Sequence, residues 1–83
     1  MSASQTDIIA TITDLLAAQL TEPRDVTPDT DLISDLALES VQIMEFIVEV
    51  EDHYDIAISL EALGEIRNLD QLARLILTTL DAQ

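Results

Sequence analysis

Apolar residues recur at helical spacing in three long stretches of the chain. The first stretch predicts an amphipathic helix through Ile8, Ile9, Ile12, Leu15, Leu16 and Leu20. A second helix is predicted from about Ser40 or Val41 to Tyr54, and a last helix follows Asn68, with Gln71 three residues later in a capping-box arrangement. No stretch alternates as a strand would. The pattern therefore predicts an all-α four-helix bundle, with three main helices and one short one.

The short helix is predicted across Glu61 to Glu65, capped by Ser59 and ending near Gly64, the only glycine. Before the second helix, residues 21–39 form a long first loop, because Pro23 and Pro28 argue against a continuous helix. Connections of this length are uncommon in compact domains and are usually functional. We expect four of its apolar residues to fasten it to the core: Val26, Leu32, Leu36 and Leu38.

The second helix carries two apolar stripes where a simple core helix needs one. At about 100° per residue, one stripe gathers the expected core positions Ile43, Phe46, Ile47, Val50 and Tyr54. Val41, Met44 and Val48 form a different stripe, with Glu45, Glu49 and Asp52 along one edge and Glu51 on the other. This second stripe either packs under the long loop or forms an apolar patch, rimmed by carboxylates, that docks onto basic sites of partner proteins.

Charge and cysteine content narrow the function classes. The 83 residues suit one domain, 1–83, and contain 17 acidic residues against three arginines, for a net charge of −14. Such a charge repels nucleic acid and anionic lipid surfaces. The absence of cysteine excludes disulfides and thiolate chemistry, and the acids of the second helix lack a ligand loop, so no specific metal site is expected. Without a secretion signal or an apolar run that could span a bilayer, we expect a cytoplasmic protein. We also expect a monomer.

Ser40 lies where the long loop meets the second helix. Serine is a preferred N-cap residue, so a capping role is one interpretation. The other interpretation rests on its surroundings, Asp35-Leu36-x-x-Glu39-Ser40-Val41 followed by an acidic amphipathic helix. This pattern resembles the acyl carrier protein family, whose usual core is Asp-Ser-Leu, and the resemblance extends from about Ile8 to Leu80.

The resemblance implies a function for Ser40. Its hydroxyl would carry a 4′-phosphopantetheine arm, attached by a phosphopantetheinyl transferase. The arm would hold acyl intermediates as thioesters and present them to acyl-loading and acyl-transferring enzymes in fatty-acid or specialised lipid biosynthesis. The chain itself would not be an enzyme. Glu39 and Val41 replace the family's usual Asp and Leu, which favours a specialised pathway, and Gln42 stands where fatty-acid carriers often place an acid.

Two residue sets follow from the resemblance and the helix pattern together. The predicted partner-binding residues are Glu39, Val41, Met44, Glu45, Val48, Glu49, Glu51 and Asp52. The candidates to line an acyl cavity, for each of which plain core packing is the alternative, are Ile43, Ile47, Ile58, Leu63, Ile66 and Leu72.

Other functions stay open from the sequence. The chain could be a polyketide or peptidyl-type carrier, or an unmodified acidic interaction module with the same fold. A small hydrolase is disfavoured because one histidine and no cysteine leave no plausible nucleophile–base pair.

Overall fold

Four α-helices make up the described part of the fold. The computed structural model describes residues 4–20, 25–36 and 38–82. In these ranges the helices are α1 (Gln5–Ala17), α2 (Ser40–Tyr54), α3 (Leu60–Gly64) and α4 (Leu69–Asp81), and there is no strand. The predicted all-α class is confirmed, and α3 begins one residue earlier than predicted. Pro23, one of the two prolines that predict the long loop, lies outside the described residues.

The two predicted caps in the second half of the chain are present. Ser59 Oγ accepts a hydrogen bond from the Ala62 N–H at 3.1 Å, and Asn68 Oδ1 accepts one from the Gln71 N–H at 2.9 Å. The reciprocal half of the Asn68 capping box differs from the prediction. The Gln71 side chain accepts from the N–H of Arg67, one residue before the cap, at 2.7 Å. The box thus spans one more residue than expected.

The core is aliphatic and lies mainly between α1 and α4, with α2 packed on α1. No polar or charged side chain in the described ranges is buried. Each large apolar side chain that is removed from water contributes roughly 1.5–3 kcal/mol. The buried residues are Ile8, Ile12, Leu16, Leu32, Leu36, Leu38, Phe46, Ile47, Val50, Ile56, Leu69, Leu72, Ala73 and Ile76.

The long loop is fastened to the start of α4. The Leu32 N–H donates to the Arg67 carbonyl at 2.8 Å, and the Asp70 N–H donates to the Pro28 carbonyl at 3.1 Å. Arg67 Nε also lies 3.3 Å from Asp31 Oδ2. Of the loop residues that we expected to contact the core, Leu32, Leu36 and Leu38 are buried and Val26 is half-buried.

A left-handed residue ends α2. Asp55 has a φ of 55° and a ψ of 50°, and the Ile56 N–H donates to the Glu51 carbonyl at 3.1 Å. This closure satisfies a carbonyl at the helix end and turns the chain toward α3.

Candidate functional site

Ser40 is the first residue of α2. The residue before it, Glu39, has extended backbone angles, and its carbonyl accepts the first helical hydrogen bond, from the Ile43 N–H at 3.0 Å. Glu39 is therefore the N-cap, and the interpretation of Ser40 as the cap is wrong for this structure. Ser40 is exposed, and its hydroxyl forms no hydrogen bond with any residue that the structure describes. That hydroxyl is available for chemistry.

Gln42 holds the start of α2 in place. Its Oε1 accepts a hydrogen bond from the Glu39 N–H at 3.0 Å, and its Nε2 donates to the Gln19 carbonyl, just beyond the end of α1, at 3.2 Å. One amide side chain thus joins the N-terminal end of α2 to the C-terminal end of α1. In the sequence, Gln42 was notable only because it replaces an acid that is common in fatty-acid carriers, and no structural role was predicted for it. Its spacing from Glu39 was the available signal, since glutamine three residues after a cap completes a capping box.

The second apolar stripe of α2 is open to solvent. Val41, Met44 and Val48 are 62%, 59% and 51% exposed, so the alternative that they pack under the long loop is wrong. Together with Glu45 and Glu49 they line a shallow groove of about 380 Å³. We call these five residues the α2 face. It combines an apolar floor, which includes the flexible side chain of Met44, with carboxylates on its edge.

The remaining acidic residues of the predicted partner set differ in their surroundings. Glu39 and Asp52 are exposed, as are Glu45 and Glu49. Glu51 is half-buried, and its Oε2 accepts a hydrogen bond from the Ile58 N–H at 2.8 Å. Glu51 therefore anchors the segment between α2 and α3, a role that the sequence did not reveal.

A second, apolar cleft of about 210 Å³ lies between α2, α3 and the long loop. It is lined by Leu32, Ile33, Ile43, Phe46, Ile47, Leu63, Gly64 and Ile66. Four of the six predicted cavity residues, Ile43, Ile47, Leu63 and Ile66, are in this lining. The other two are not: Leu72 is fully buried in the core, and Ile58 is half-buried and packs against it.

Ser40 lies on the border between the cleft and the α2 face. Ile43 and Ile47 follow it at i+3 and i+7, which places all three on one side of the helix. Met44 follows at i+4 and borders the same serine on the other side. A group attached to Ser40 can therefore reach either surface without crossing the helix.

Asp31 holds the part of the long loop that lines the cleft. Its Oδ1 accepts hydrogen bonds from the backbone N–H groups of Ser34 and Ile33, at 2.8 and 2.9 Å. These two bonds, followed by the bond and charge of Arg67, lower the pKa of Asp31 from its ordinary value of 3.8, against an opposing effect of desolvation. An ionised Asp31 thus holds Ile33 at the cleft and ties the loop to Arg67.

Comparison with known proteins assigns the family. Residues 10–76 match the family model described as "Phosphopantetheine attachment site". The chain belongs to the acyl carrier protein family. Membership implies a 4′-phosphopantetheine prosthetic group, modification by a phosphopantetheinyl transferase and interaction with acyl-handling enzymes. Carrier proteins are generally not enzymes.

Relatives and solved structures agree with this assignment. The meromycolate extension acyl carrier protein of Mycolicibacterium aurum is 35% identical over 71 residues, which cover 83% of this chain and 72% of that protein. A Mycobacterium tuberculosis protein proposed as an acyl carrier protein superposes with a TM-score of 0.74 at 25% identity, covering 90% of this chain and 96% of its own. An acyl carrier protein from Enterococcus faecalis shares the fold, with a TM-score of 0.75 at 20% identity over 93% of this chain and 99% of its own.

Membrane-spanning helices and metal sites are both absent from the described residues. None of the helices in the described ranges is long and apolar enough to cross a membrane. Nor do the described residues bring together three or more histidine, aspartate or glutamate side chains that could hold a metal ion.

Proposed function

We propose that Ser40 is the attachment site of the 4′-phosphopantetheine group and that the chain tethers acyl intermediates for lipid biosynthesis. The observation that carries the proposal is the exposed Ser40 hydroxyl on the first turn of α2, without a hydrogen bond in the described residues and inside the region that matches the family. When bound, the group supplies a thiol that holds an acyl chain as a thioester. A specialised lipid pathway is supported by the name of the mycobacterial relative and by Glu39 and Val41 beside Ser40.

The α2 face is proposed as the surface that partner enzymes contact. Its apolar floor would be buried on binding, while Glu45 and Glu49, with Asp52 nearby, would attract basic patches and speed the encounter. Such a partner needs an apolar centre with arginine or lysine at its rim. Because Glu51 bonds to the Ile58 N–H, it contributes less to this surface than its sequence position suggests.

The cleft beside Ser40 is proposed to shelter the first part of a short acyl chain. A dry apolar cavity of about 150 Å³ admits a benzene ring. The cleft has a volume of about 210 Å³ and a mostly apolar lining, so it would accept a segment of several carbon atoms. Its position on the Ser40 side of α2 would let the chain move between the cleft and a partner at the α2 face.

We further propose that the chain is a carrier without catalytic activity and that residues 1–83 act as one carrier domain. The only histidine, His53, lies in the last turn of α2. His53 is thirteen positions after Ser40 in the helix, which corresponds to a distance of about 20 Å along the helix axis. Ser40 therefore has no imidazole base nearby and would act only as an anchor. A cytoplasmic location and a monomeric state stay predictions.

Intact mass spectrometry tests the attachment. The protein is incubated with coenzyme A and a broad-specificity phosphopantetheinyl transferase, and the mass of one arm is expected on wild type. Ser40→Ala should gain none, whereas Ser34→Ala, which removes another exposed hydroxyl, should be modified like wild type. Equal modification of Ser40→Ala would refute the proposal. A wild type that gains no arm but still binds partners through the α2 face would favour an unmodified interaction module.

A further inference from the structure

Helix α2 could begin after Glu39 or after Ser40. The two helix starts differ in whether the Ser40 hydroxyl accepts a capping hydrogen bond. If Ser40 were the N-cap, its Oγ would accept a hydrogen bond from a backbone N–H two or three residues later. In the observed start, Glu39 is the N-cap and the hydroxyl stays unengaged. Serine is a much better N-cap than glutamate, so the preference of the cap residue alone favours the other start.

The side chain of Gln42 favours the observed start. With Glu39 as the cap, Gln42 is at the N3 position, where its Oε1 accepts the Glu39 N–H at 3.0 Å. With Ser40 as the cap, the N3 position would be Ile43, which has no polar atom to offer. Gln42 therefore stabilises one start of the helix and contributes no such bond to the other.

A second bond of the same amide fixes this arrangement to the rest of the fold. Gln42 Nε2 donates to the Gln19 carbonyl at 3.2 Å, so the turn after α1 holds the side chain while the side-chain oxygen holds the cap. An amide can accept and donate in this way, whereas the carboxylate that fatty-acid carriers often place here only accepts. Leu38 and Ile43 favour the same start, since a buried residue before the cap and an apolar residue at the fourth helical position are placed as a hydrophobic staple.

We propose that Gln42 is a positioning residue that sets the start of α2 at Ser40 and so keeps the Ser40 hydroxyl free for modification. This inference rests on the proposed attachment at Ser40. It assigns Gln42 a role that acts through the Glu39 N–H, without contact between Gln42 and the arm.

Solution NMR of the unmodified protein tests the helix start directly. In wild type, the ¹³Cα and ¹³Cβ shifts of Ser40 should be helical. In Gln42→Ala they should move toward extended values, and the Glu39 amide should exchange with solvent about fivefold faster, the effect of losing one cap interaction. His53→Ala, at the far end of α2, should leave the Ser40 shifts unchanged. Unchanged shifts in Gln42→Ala would overturn the proposal.

A rescue variant and kinetics separate positioning from direct contact. Glu39→Ser/Gln42→Ala places a preferred cap residue at position 39, which should return the Ser40 shifts to helical values without the Gln42 amide. For Gln42→Ala, kcat/KM of the transferase should fall about fivefold through a higher KM, because fewer molecules offer a free hydroxyl. Failure of the rescue, or an unchanged kcat/KM despite moved shifts, would overturn the positioning role. If Ser40→Ala is modified as well as wild type, the attachment proposal fails, while the shifts still report on the helix start.

Discussion

Alanine variants of Glu51 and Glu49 form a matched pair. They test whether Glu51 stabilises the fold through its hydrogen bond while the exposed Glu49 does not. Both are glutamates in the second half of the same helix, and replacing either one with alanine removes one negative charge. Glu51 accepts the Ile58 N–H at 2.8 Å and is half-buried, whereas Glu49 is exposed on the α2 face. The difference between the two variants therefore isolates the hydrogen bond to Ile58.

The magnitude follows from that bond. A hydrogen bond to a charged group is worth about 1.5–3 kcal/mol, and we take the lower end because Glu51 is only half-buried and water partly replaces the bond. Alanine returns a few tenths of a kcal/mol through its higher helix propensity. We therefore expect Glu51→Ala to lower the free energy of unfolding by about 1 kcal/mol, which for a domain of this size lowers the melting temperature by roughly 4–8 °C.

Circular dichroism of thermal and urea unfolding measures the effect. Glu49→Ala should stay within about 0.5 kcal/mol of wild type, since it removes no hydrogen bond or ion pair from the described structure. Hydrogen exchange at the Ile58 amide should be faster in Glu51→Ala alone. Equal stability of the two variants, or an unchanged Ile58 amide, would refute the assignment of Glu51 as a loop anchor.

Three other predictions concern the loop, the end of α2 and the α2 face. The pKa of Asp31 is lowered in the folded state, so its stabilising effect is present above pH 3.8 and is lost as the pH falls through the folded pKa. A carboxyl NMR titration should give Asp31 a midpoint below 3.8 even in Arg67→Ala, because the two backbone bonds remain; a midpoint at or above 3.8 in both proteins would contradict this account. Asp55→Gly should raise the free energy of unfolding by about 0.5–1 kcal/mol in urea denaturation, because glycine adopts a φ of 55° without strain. Asp55→Ala should not raise the free energy of unfolding. Charge reversal to lysine at Glu45 and Glu49 should slow association with a loading enzyme in stopped-flow measurements and weaken its salt dependence; unchanged rates would exclude this face.

The helices and the α2 face could be predicted because both follow from local periodicity. Apolar spacing placed three of the four helices, and the angular separation of Val41, Met44 and Val48 from Phe46 and Val50 predicted that the two sets face different surroundings. The structure confirms that separation, with the first set exposed and the second buried. Short-range chemistry also sufficed for the caps at Ser59 and Asn68.

The missed features depend on contacts between segments distant in sequence. Gln42 bonds to the Gln19 carbonyl across 23 residues, and its role is visible only when the end of α1 lies beside the start of α2. The sequence placed Glu51 among the partner-binding residues because nothing in it predicts that the Ile58 N–H lies next to this carboxylate. Leu72 was a candidate to line the cavity, with plain core packing as the alternative, and the structure buries it in the core.

The Glu-Ser-Val sequence also gains a physical interpretation. Glutamate is not among the preferred cap residues, and the Gln42 side chain supports a helix that begins after Glu39 by accepting from the Glu39 N–H. Residues 39 and 42, both of which depart from the family's usual pattern, thus form one capping box.

The central claim is that Ser40 carries the prosthetic group, and tandem mass spectrometry of the modified protein tests it most directly. After reaction with coenzyme A and the transferase, proteolysis and fragmentation locate the added mass on a single residue. The account predicts that the mass lies on Ser40 and on no other serine or threonine. Localisation of the arm to any other residue would contradict it.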